Sequence, residues 1–291
     1  MILLDYSQIA IGAIFSMQKE FNSSSEEKKV NIIRNVILST IKYYKKAYSK
    51  KYGELVIACD GKDYWRKQLF PHYKAARKKN RENSDMDWDF IFRVLNTIRD
   101  ELRDNFPYKV IHLDEIEADD IIATLVNETA EFGNFQENMI ISSDKDFKQL
   151  HKLGNVKQFS PILKKLIKAE SAKALAEARI EHIVKGDKGD GIPNIFSADD
   201  VFVSGGRQTP VSTKRLLEFF EMGANACRSD DERRNWDRNC QLIDFDRIPQ
   251  RIRDTILNSY ETQKPKGDKM SIMNYLIKHK CRLLLDELED F

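Results

Sequence analysis

Short apolar runs alternate with longer stretches of helical periodicity in the first half of the chain. Residues 26–50 and 88–106 carry apolar positions at helical spacing, and a further such pattern follows residue 117. The apolar runs between them are typical of buried strands, and they are "ILLDYS" (2–7), "ELVIACD" (54–60), "YKVIHL" (108–113) and "NMIISSD" (138–144). This alternation predicts an α/β fold with a mostly parallel, twisted sheet flanked by helices.

The second half of the chain has a helical pattern. "SAKALAEARIEHIVKGD" predicts a helix with Ser171 as its N-cap, and the pattern breaks in the glycine-rich stretch "GDKGDGIPN" (186–194). We therefore expect an α/β domain over residues 1–170, with a basic segment at about 62–87, followed by a helical region over residues 171–291.

Composition excludes several classes of protein. Hydrophobic residues make up 41% of the 291 residues and aromatic residues 10%, which is typical of a globular protein. The 48 basic and 46 acidic residues nearly cancel, so the net charge does not indicate a partner. The four cysteines are scattered without a C-x-x-C pair, which disfavours a zinc site or a disulfide framework and favours the cytoplasm. No apolar run reaches the roughly 18 residues of a membrane span, so no membrane partner is expected.

Acidic residues stand where three of the predicted strands end. Asp5, Asp60 and Asp144 close these strands, and Asp146 follows two residues after the last of them. Because ligands of open α/β sheets bind at the carboxyl ends of the strands, these side chains are expected to share one crevice. The helix after the third strand adds further acids at its start, in "DEIEADD" (114–120). Any single acid at a strand end or a helix start has a common structural explanation, so the set is more informative than its members.

Spacing separates the acids around that helix start. Glu117 and Asp119 are two residues apart, so on a regular helix they would face nearly opposite directions. Both reach one crevice only if Glu117 lies at or before the first residue of the helix. Asp114, Glu115 and Asp120 keep the simpler interpretation of loop charges and of acids that the helix dipole favours.

Several carboxylates in one crevice need a counter-charge. Two like charges ~4 Å apart cost about 4 kcal/mol at an effective dielectric constant of about 20. Oxygen ligands suit hard divalent cations, and no His or Cys accompanies these positions, so Mg²⁺ or Mn²⁺ is favoured over zinc.

A strongly basic segment follows Asp60. Residues 62–81 contain eight Lys or Arg and one acid, a formal charge of +7, with four aromatic residues between the cations. Such a segment is either a solvated basic surface or a nucleic-acid arm, in which cations meet phosphates and aromatic rings stack on unpaired bases. Its place next to predicted metal ligands favours the arm.

The stretch 186–194 allows two interpretations. It is either a polar turn between helices or a loop whose backbone N–H groups bind a phosphate of a duplex. Asp187 and Asp190 within it are further candidates for metal ligation.

The ordered set of motifs resembles the 5′ nuclease superfamily of flap endonucleases, 5′ nuclease domains of bacterial DNA polymerases and phage 5′ exonucleases, and most of all its T-even phage ribonuclease H branch. The resemblance covers nearly the whole chain and rests on "LLDYSQIA", "ACDGKDYWR", "YKAARK", "IEADDIIATLV", "IISSDKDFKQLHKLGNVKQFSP", "KGDKGD" and "LIDFDRIP". It implies a PIN-like nuclease core and, at about 172–205, a helix–three-turn–helix motif that binds duplex DNA.

The resemblance implies a two-metal phosphodiesterase, a 5′-3′ exonuclease and flap endonuclease that removes RNA primers and 5′ flaps in lagging-strand replication. The implied ligands of the first metal are Asp5, Asp60, Glu117, Asp119 and Asp144, and those of a second, more open site are Asp146, Asp187 and Asp190. The residues implied in catalysis are Lys74, Arg77, Asp119 and Asp144. The residues implied in nucleic-acid binding are Arg66, Lys67, Tyr73, Lys74, Arg77, Lys78, Lys79, Gly186, Lys188, Gly189 and Gly191.

Ions and partners follow from the same resemblance. It implies two Mg²⁺ ions, for which Mn²⁺ can substitute, a K⁺ ion at the 186–194 hairpin, and a DNA or RNA–DNA substrate with a 5′ end or flap. A single-strand-binding protein and a sliding clamp are the implied partners of a monomer in the host cytoplasm. The common family loop is closer to "GDxxDNIPG", whereas Gly191 and Asn194 stand here, which weakens the expectation of K⁺ and of the hairpin's details.

Three other functions stay open on the residues alone. A PIN-type single-strand ribonuclease shares the acidic crevice, although the arm and the glycine-rich loop argue against it. A non-catalytic protein that binds branched DNA would not need the full set of carboxylates. A haloacid-dehalogenase-like phosphatase starting from Asp5 needs a second acid two residues later, where Ser7 stands.

Overall fold

The computed structural model describes residues 1–16 and 25–291. Its strands are β1 (Ile2–Asp5), β2 (Leu55–Cys59), β3 (Lys109–His112), β4 (Asn138–Ile141), β5 (Val156–Ser160) and β6 (Lys165–Leu166). The α-helices in these residues are α1 (Tyr6–Ser16), α2 (Glu26–Tyr52), α3 (Trp65–Leu69), α4 (Ala75–Glu82), α5 (Trp88–Asn105), α6 (Ala118–Glu128), α7 (Ala172–Lys185), α8 (Thr213–Met222), α9 (Asp230–Ile243), α10 (Gln250–Thr262), α11 (Lys269–Lys278) and α12 (Arg282–Leu285). Shorter 3₁₀ segments cover Lys145–Leu153, Gly223–Ala226, Phe245–Arg247 and Leu288–Asp290.

The strands form one sheet in the order β3-β2-β1-β4-β5-β6. Neighbours from β3 to β5 pair in parallel, and β6 pairs antiparallel with β5. The prediction of a mostly parallel sheet flanked by helices is confirmed. Strands β5 and β6 are additional to the four predicted ones, because "VKQFS" mixes polar and apolar residues and β6 has only two residues. The strand order reverses at β1, and at such a point the carboxyl ends of neighbouring strands open a crevice.

Burial explains the elements that the sequence predicts. Every residue of β1, β2 and β4 is buried, as expected for parallel strands covered on both faces. Helix α5 buries Phe90, Val94, Ile98 and Leu102 along one face, and the Asp87 side chain caps its start by accepting a hydrogen bond from the Phe90 N–H. Burying each large apolar side chain contributes about 1.5–3 kcal/mol, so this face holds the helix in place.

Two compact units are built from segments that are interleaved in sequence. Unit 1 comprises residues 1–61, 87–168 and 253–291, and unit 2 comprises residues 62–86 and 169–252. The sheet therefore belongs to unit 1 and the basic segment to unit 2. The two continuous domains predicted from periodicity stay a prediction. No helix in the described residues is long and apolar enough to cross a membrane.

Unit 2 differs from the expected hairpin at about 172–205. Helix α7 follows Ser171, whose side chain caps it as predicted. A second helix is expected before residue 205, but residues 199–205 form turns. The β-branched Val201 and Val203 lower helix propensity, and a pair of glycines follows them, so this segment is a poor helix former.

Gly61 lies where the chain leaves β2, and a larger residue does not fit there. Its N–H donates to the carbonyl of Ile116 at 2.8 Å, and a Cβ at this position would lie 1.9 Å from the carbonyl oxygen of Leu113. We expect Gly61→Ala to lower the free energy of unfolding by about 1–3 kcal/mol, because the backbone segments that contain Gly61 and Leu113 have to move apart. Denaturant unfolding measures this change.

Gly12 in α1 is the matched control for that measurement. A Cβ on Gly12 has no neighbour within 4 Å, so Gly12→Ala should be neutral or stabilising by about 0.5–1 kcal/mol through helix propensity. Equal unfolding midpoints for Gly61→Ala and the unmodified chain would contradict the close approach at Gly61.

Candidate active site

Three neighbouring strands bring predicted acids to one edge of the sheet in unit 1. Asp5 is the last residue of β1 and lies in register with Ala58, two residues before Asp60. Leu4 lies in register with Ile141, the last residue of β4, so the segment that carries Asp144 begins beside Asp5. The carboxyl ends of β1, β2 and β4 therefore define the candidate site.

Asp5 is buried and held by two hydrogen bonds. Its Oδ1 accepts from the Gln8 N–H at 3.1 Å, and its Oδ2 accepts from the Ser142 hydroxyl at 3.1 Å. Burial, together with the negative charges of Asp60 and Asp144, raises the pKa of the Asp5 carboxyl to about 7. The acids are thus close enough to oppose one another's ionisation, which is the situation that a bound cation relieves.

Asp60 connects the end of β2 with the start of α6. Its Oδ2 accepts from the Ser7 hydroxyl at 2.6 Å, and its Oδ1 accepts from the Ala118 N–H at 3.0 Å. Ala118 is the first residue of α6 and Glu117 is its N-cap, so Glu117 lies before the helix, as its predicted role requires. Glu117 is buried, and Asp119 is half-buried in the first turn.

Asp120 has the structural role expected of a helix-start acid. Its side chain is fully buried, and its Oδ2 accepts from the Glu117 N–H at 3.2 Å. It thereby satisfies a backbone donor at the helix start. Asp114 is exposed.

The loop after β4 is positioned by side chains that the sequence did not single out. The fully buried Ser142 donates to Asp5 and accepts from the Asp144 N–H at 3.1 Å. The Gln158 amide donates to the carbonyls of Ser142 at 2.9 Å and Asp144 at 2.7 Å. Asp144 Oδ1 accepts from the Asp146 N–H at 2.9 Å, which fixes the start of the 3₁₀ segment. A serine two residues before an acid is too common in loops to have indicated this role.

The basic segment forms the short helices α3 and α4 in unit 2, and it does not expose all of its cations. Arg66 is buried, its Nε donates to the Leu242 carbonyl at 2.9 Å, and its guanidinium lies 4.4 Å from the centre of the Trp65 ring. A buried arginine with these contacts supports the fold. The predicted nucleic-acid contact by Arg66 stays a prediction, and its burial favours a structural role. Charge in the sequence alone does not distinguish a packed arginine from an exposed one.

Other cations of unit 2 are open to solvent. Lys67, Lys78 and Lys188 are exposed, and Arg77 is about half exposed. The side chain of Lys79 lies outside the part of the chain that the structure describes. Lys67, Lys78 and Lys188 can reach phosphate groups without rearrangement.

Asp190, predicted as a metal ligand, is contacted by side chains of the basic segment. Its carboxylate pairs with Arg77, accepts from the Tyr73 hydroxyl at 3.1 Å, and lies 3.7 Å from the Lys74 Nζ. Its carbonyl accepts from the Lys74 N–H at 2.7 Å.

Asp187 shapes the glycine-rich loop. Its Oδ1 accepts from the backbone N–H groups of Gly189 at 2.8 Å and Asp190 at 3.2 Å, and its Oδ2 lies 3.0 Å from the His182 Nε2. A side chain that bonds the backbone two and three residues on is typical of an aspartate that stabilises a turn. Ligation of a second metal by Asp187 and Asp190 stays a prediction.

Two glycines of this loop are required by close approaches of the backbone. Gly186 has a positive φ of 66°, and a Cβ on it would lie 2.3 Å from the Ile192 carbonyl oxygen. Gly191 has a φ of 72°, and its Cβ would lie 2.9 Å from the His72 carbonyl oxygen. The predicted phosphate contacts of Gly186, Gly189 and Gly191 stay predictions.

Comparison with known proteins defines the class. Residues 1–181 match the family described as 5′-3′ exonuclease, N-terminal resolvase-like domain, and residues 176–291 match the family described as T4 RNase H, C terminal. The chain belongs to the 5′-3′ exonuclease family, and it is accordingly a metal-dependent nuclease, a hydrolase.

Two relatives show which nucleases of this family the chain is similar to. The ribonuclease H of Enterobacteria phage T4 is 35% identical over 300 residues, which cover 99% of this chain and 95% of the relative. The flap endonuclease Xni of Shewanella sp. (strain MR-4) is 32% identical over 147 residues, which cover 48% of this chain and 52% of the relative. The second match thus spans about half of each protein.

Solved structures from bacteriophage T5 share the fold. A flap endonuclease in a pseudo-enzyme–product complex with DNA and metal ions matches with a TM-score of 0.63 at 18% identity, over 90% of this chain and 99% of that chain. The T5 5′-exonuclease with bound zinc matches with a TM-score of 0.61 at 17% identity, over 91% and 99% of the two chains.

Proposed function

We propose that the chain is a Mg²⁺-dependent 5′-3′ exonuclease and flap endonuclease that acts on DNA and RNA–DNA duplexes with a 5′ end or flap. Removal of RNA primers and 5′ flaps in lagging-strand replication is the process this activity serves. The observation that carries the proposal is the set of acids at the carboxyl ends of β1, β2 and β4, in a chain of the 5′-3′ exonuclease family. The activities in the relatives' names, ribonuclease H and flap endonuclease, agree with it.

The acids of unit 1 fit divalent metal ions. Their ligating atoms are carboxylate oxygens, the donors that Mg²⁺ and Mn²⁺ prefer. The pKa of Asp5 is raised by burial and by neighbouring negative charge, and a cation at this edge would offset the charge. The proposed ligands of the first Mg²⁺ are Asp5, Asp60, Glu117, Asp119 and Asp144. The proposed ligands of the second, more open site are Asp146, Asp187 and Asp190.

The residues of the chain have separate tasks in the proposed reaction. When bound, the metal ions would supply an activated water and neutralise charge on the phosphate. Ser7 and Ser142 hold carboxylates in place through their hydroxyl groups. Lys74 and Arg77 are proposed to stabilise negative charge on the phosphate as the bond breaks. No serine or cysteine nucleophile is needed.

A single cleavage assay tests this function. The protein is incubated with 5′-labelled nicked, flapped and RNA-primed duplexes in Mg²⁺, in Mn²⁺ and in EDTA. We expect release of flaps and 5′-to-3′ shortening with either metal and none in EDTA. Cutting of single strands alone would favour a PIN-type ribonuclease, and tight binding of branched DNA without cutting would favour a non-catalytic protein.

Ser142→Ala is expected to weaken Mg²⁺ binding by about 10- to 100-fold, because the serine orients Asp5 and the Asp144 backbone together. The measurement is the Mg²⁺ concentration that gives half of the maximal single-turnover rate. Ser143→Ala is the control, since the Ser143 hydroxyl contacts Ser160 and the Ile162 N–H. An equal effect of both substitutions would contradict a specific role of Ser142.

Further ions and partners belong to this proposal through the resemblance alone. They are a K⁺ ion at residues 186–194, a single-strand-binding protein, a sliding clamp, a monomeric state and the host cytoplasm. Each stays a prediction.

A further inference from the structure

One carboxylate in unit 2 is contacted by three side chains of the basic segment. Asp190 Oδ2 accepts from the Tyr73 hydroxyl at 3.1 Å and lies 3.7 Å from the Lys74 Nζ, and Asp190 Oδ1 accepts from the Arg77 guanidinium. The Asp190 side chain is only 23% exposed, so these contacts are partly shielded from solvent. We refer to these four residues as the Asp190 clasp.

The backbone holds the clasp in place independently of the charges. The Lys74 N–H donates to the Asp190 carbonyl at 2.7 Å, and Lys74 has a φ of 56°, in the left-handed region that non-glycine residues rarely adopt. The Lys74 side chain is 11% exposed, with its Nζ 5.3 Å from the centre of the Tyr64 ring and 5.0 Å from that of Tyr73. The backbone conformation and the two aromatic rings fix the position of the Lys74 side chain, so its approach to Asp190 is set by the fold.

The donors of the clasp are those that bind a phosphate. Arginine, lysine and a tyrosine hydroxyl are common partners of phosphate oxygens, and a carboxylate offers the same kind of anionic acceptor. Two of the donors, Lys74 and Arg77, are the side chains proposed above to contact the substrate phosphate. The carboxylate of Asp190 therefore occupies their donors in the absence of nucleic acid.

We infer that Asp190 is an internal mimic of the substrate phosphate, which positions Lys74 and Arg77 before nucleic acid binds and which a backbone phosphate must displace. This inference rests on the proposed function, since it needs Lys74 and Arg77 to bind phosphate. Displacement opposes binding, so the protein holds nucleic acid less tightly than its cations alone would allow. Because Asp190 holds Lys74 and Arg77 around one anionic group, both cations are already placed to bind a phosphate.

The first test compares two substitutions that each remove one carboxylate charge from unit 2. Asp190→Asn removes the carboxylate that contacts Tyr73, Lys74 and Arg77. Asp237→Asn, the control, removes a carboxylate that pairs with Arg233. Binding of a fluorescent flapped duplex is measured by anisotropy in EDTA at low salt, so that metal ligation does not contribute. We expect Asp190→Asn to bind about 5- to 10-fold more tightly and Asp237→Asn to change the affinity less than about twofold.

The second test measures whether Arg77 contributes more to duplex affinity once residue 190 is uncharged. Arg77→Ala should weaken binding more in the Asp190→Asn background than in the unmodified chain, because the arginine no longer exchanges one partner for another. If Asp190 had a purely structural role, Asp190→Asn would weaken binding, and Arg77→Ala would have the same cost in both backgrounds. Thermal unfolding checks that each variant is folded, and Asp190→Ser, which also removes the charge, replaces Asp190→Asn if the latter is not.

The outcomes separate this inference from the function on which it rests. Unchanged or weaker binding by a folded, uncharged variant at residue 190 would overturn the inference, as would an equal cost of Arg77→Ala in both backgrounds. If the unmodified protein neither binds nor cuts the flapped duplex, the proposed function itself fails. If it does both and only the Asp190 variants behave otherwise than expected, the phosphate mimic alone is wrong.

Discussion

Asp144→Asn should abolish metal-dependent cleavage, slowing turnover on the order of 10³-fold or more, while duplex binding survives. The substitution keeps the shape of the side chain and removes the charge that a metal ion needs. Asp144 lies in a loop that Ser142 and Gln158 fix against the end of β1, and its negative charge helps to raise the pKa of Asp5. Asp119→Asn is expected to have the same effect.

Two measurements and one control define this prediction. Single-turnover cleavage of a flapped duplex in Mg²⁺ gives the rate, and binding of the same duplex in EDTA shows whether the basic segment of unit 2 still functions. Asp114→Asn is the control, because Asp114 is an exposed acid of the same unit. Retained turnover in Asp144→Asn would exclude Asp144 as a metal ligand.

Lys74→Ala should slow the single-turnover rate by about 10²- to 10³-fold without loss of metal binding. This is the typical cost of removing one group that stabilises charge in the transition state. The first metal ion is proposed to bind to acids of unit 1, whereas Lys74 belongs to unit 2. The rate is measured at saturating enzyme, and calorimetric titration with Mn²⁺ reports metal affinity.

Lys78→Ala is the matched control for Lys74→Ala. Lys78 is 82% exposed and lies four residues further along the same segment, so its loss should weaken binding slightly and reduce the salt dependence without changing the bound-state rate. Because Lys74 packs against two aromatic rings, thermal unfolding must show that Lys74→Ala is folded. An unchanged single-turnover rate in folded Lys74→Ala would refute its role in the reaction.

The local sequence pattern correctly predicts the first four strands of the sheet and the start of α6. The four apolar runs became β1 to β4, and the two-residue spacing of Glu117 and Asp119 required Glu117 to precede the helix, which it does. These predictions succeed because side-chain periodicity and helix capping depend on residues close in sequence. The turns at residues 199–205 lie in the range where the resemblance, and not the local periodicity, places the DNA-binding hairpin of about 172–205.

Arg66 shows why charge in a sequence does not define a binding surface. It lies among other cations of the basic segment, yet it is buried and bonded to Leu242, far from it in sequence. Lys67, its neighbour, is exposed. Only the packing of unit 2 distinguishes the two residues, because burial depends on which distant segment covers each side chain.

The residue types needed for metal-assisted hydrolysis, their order and the class of fold are all present in the linear pattern of apolar runs and acids. The tertiary structure decided which partner each charged group has. Ser142 meets Asp5 across 137 residues, and Arg77 meets Asp190 across 113. Such contacts depend on strand register and on the folding of the arm, which no local period encodes. The sequence therefore predicts that carboxylates gather at the sheet edge, whereas the pairing of Asp190 with the arm became visible only in three dimensions.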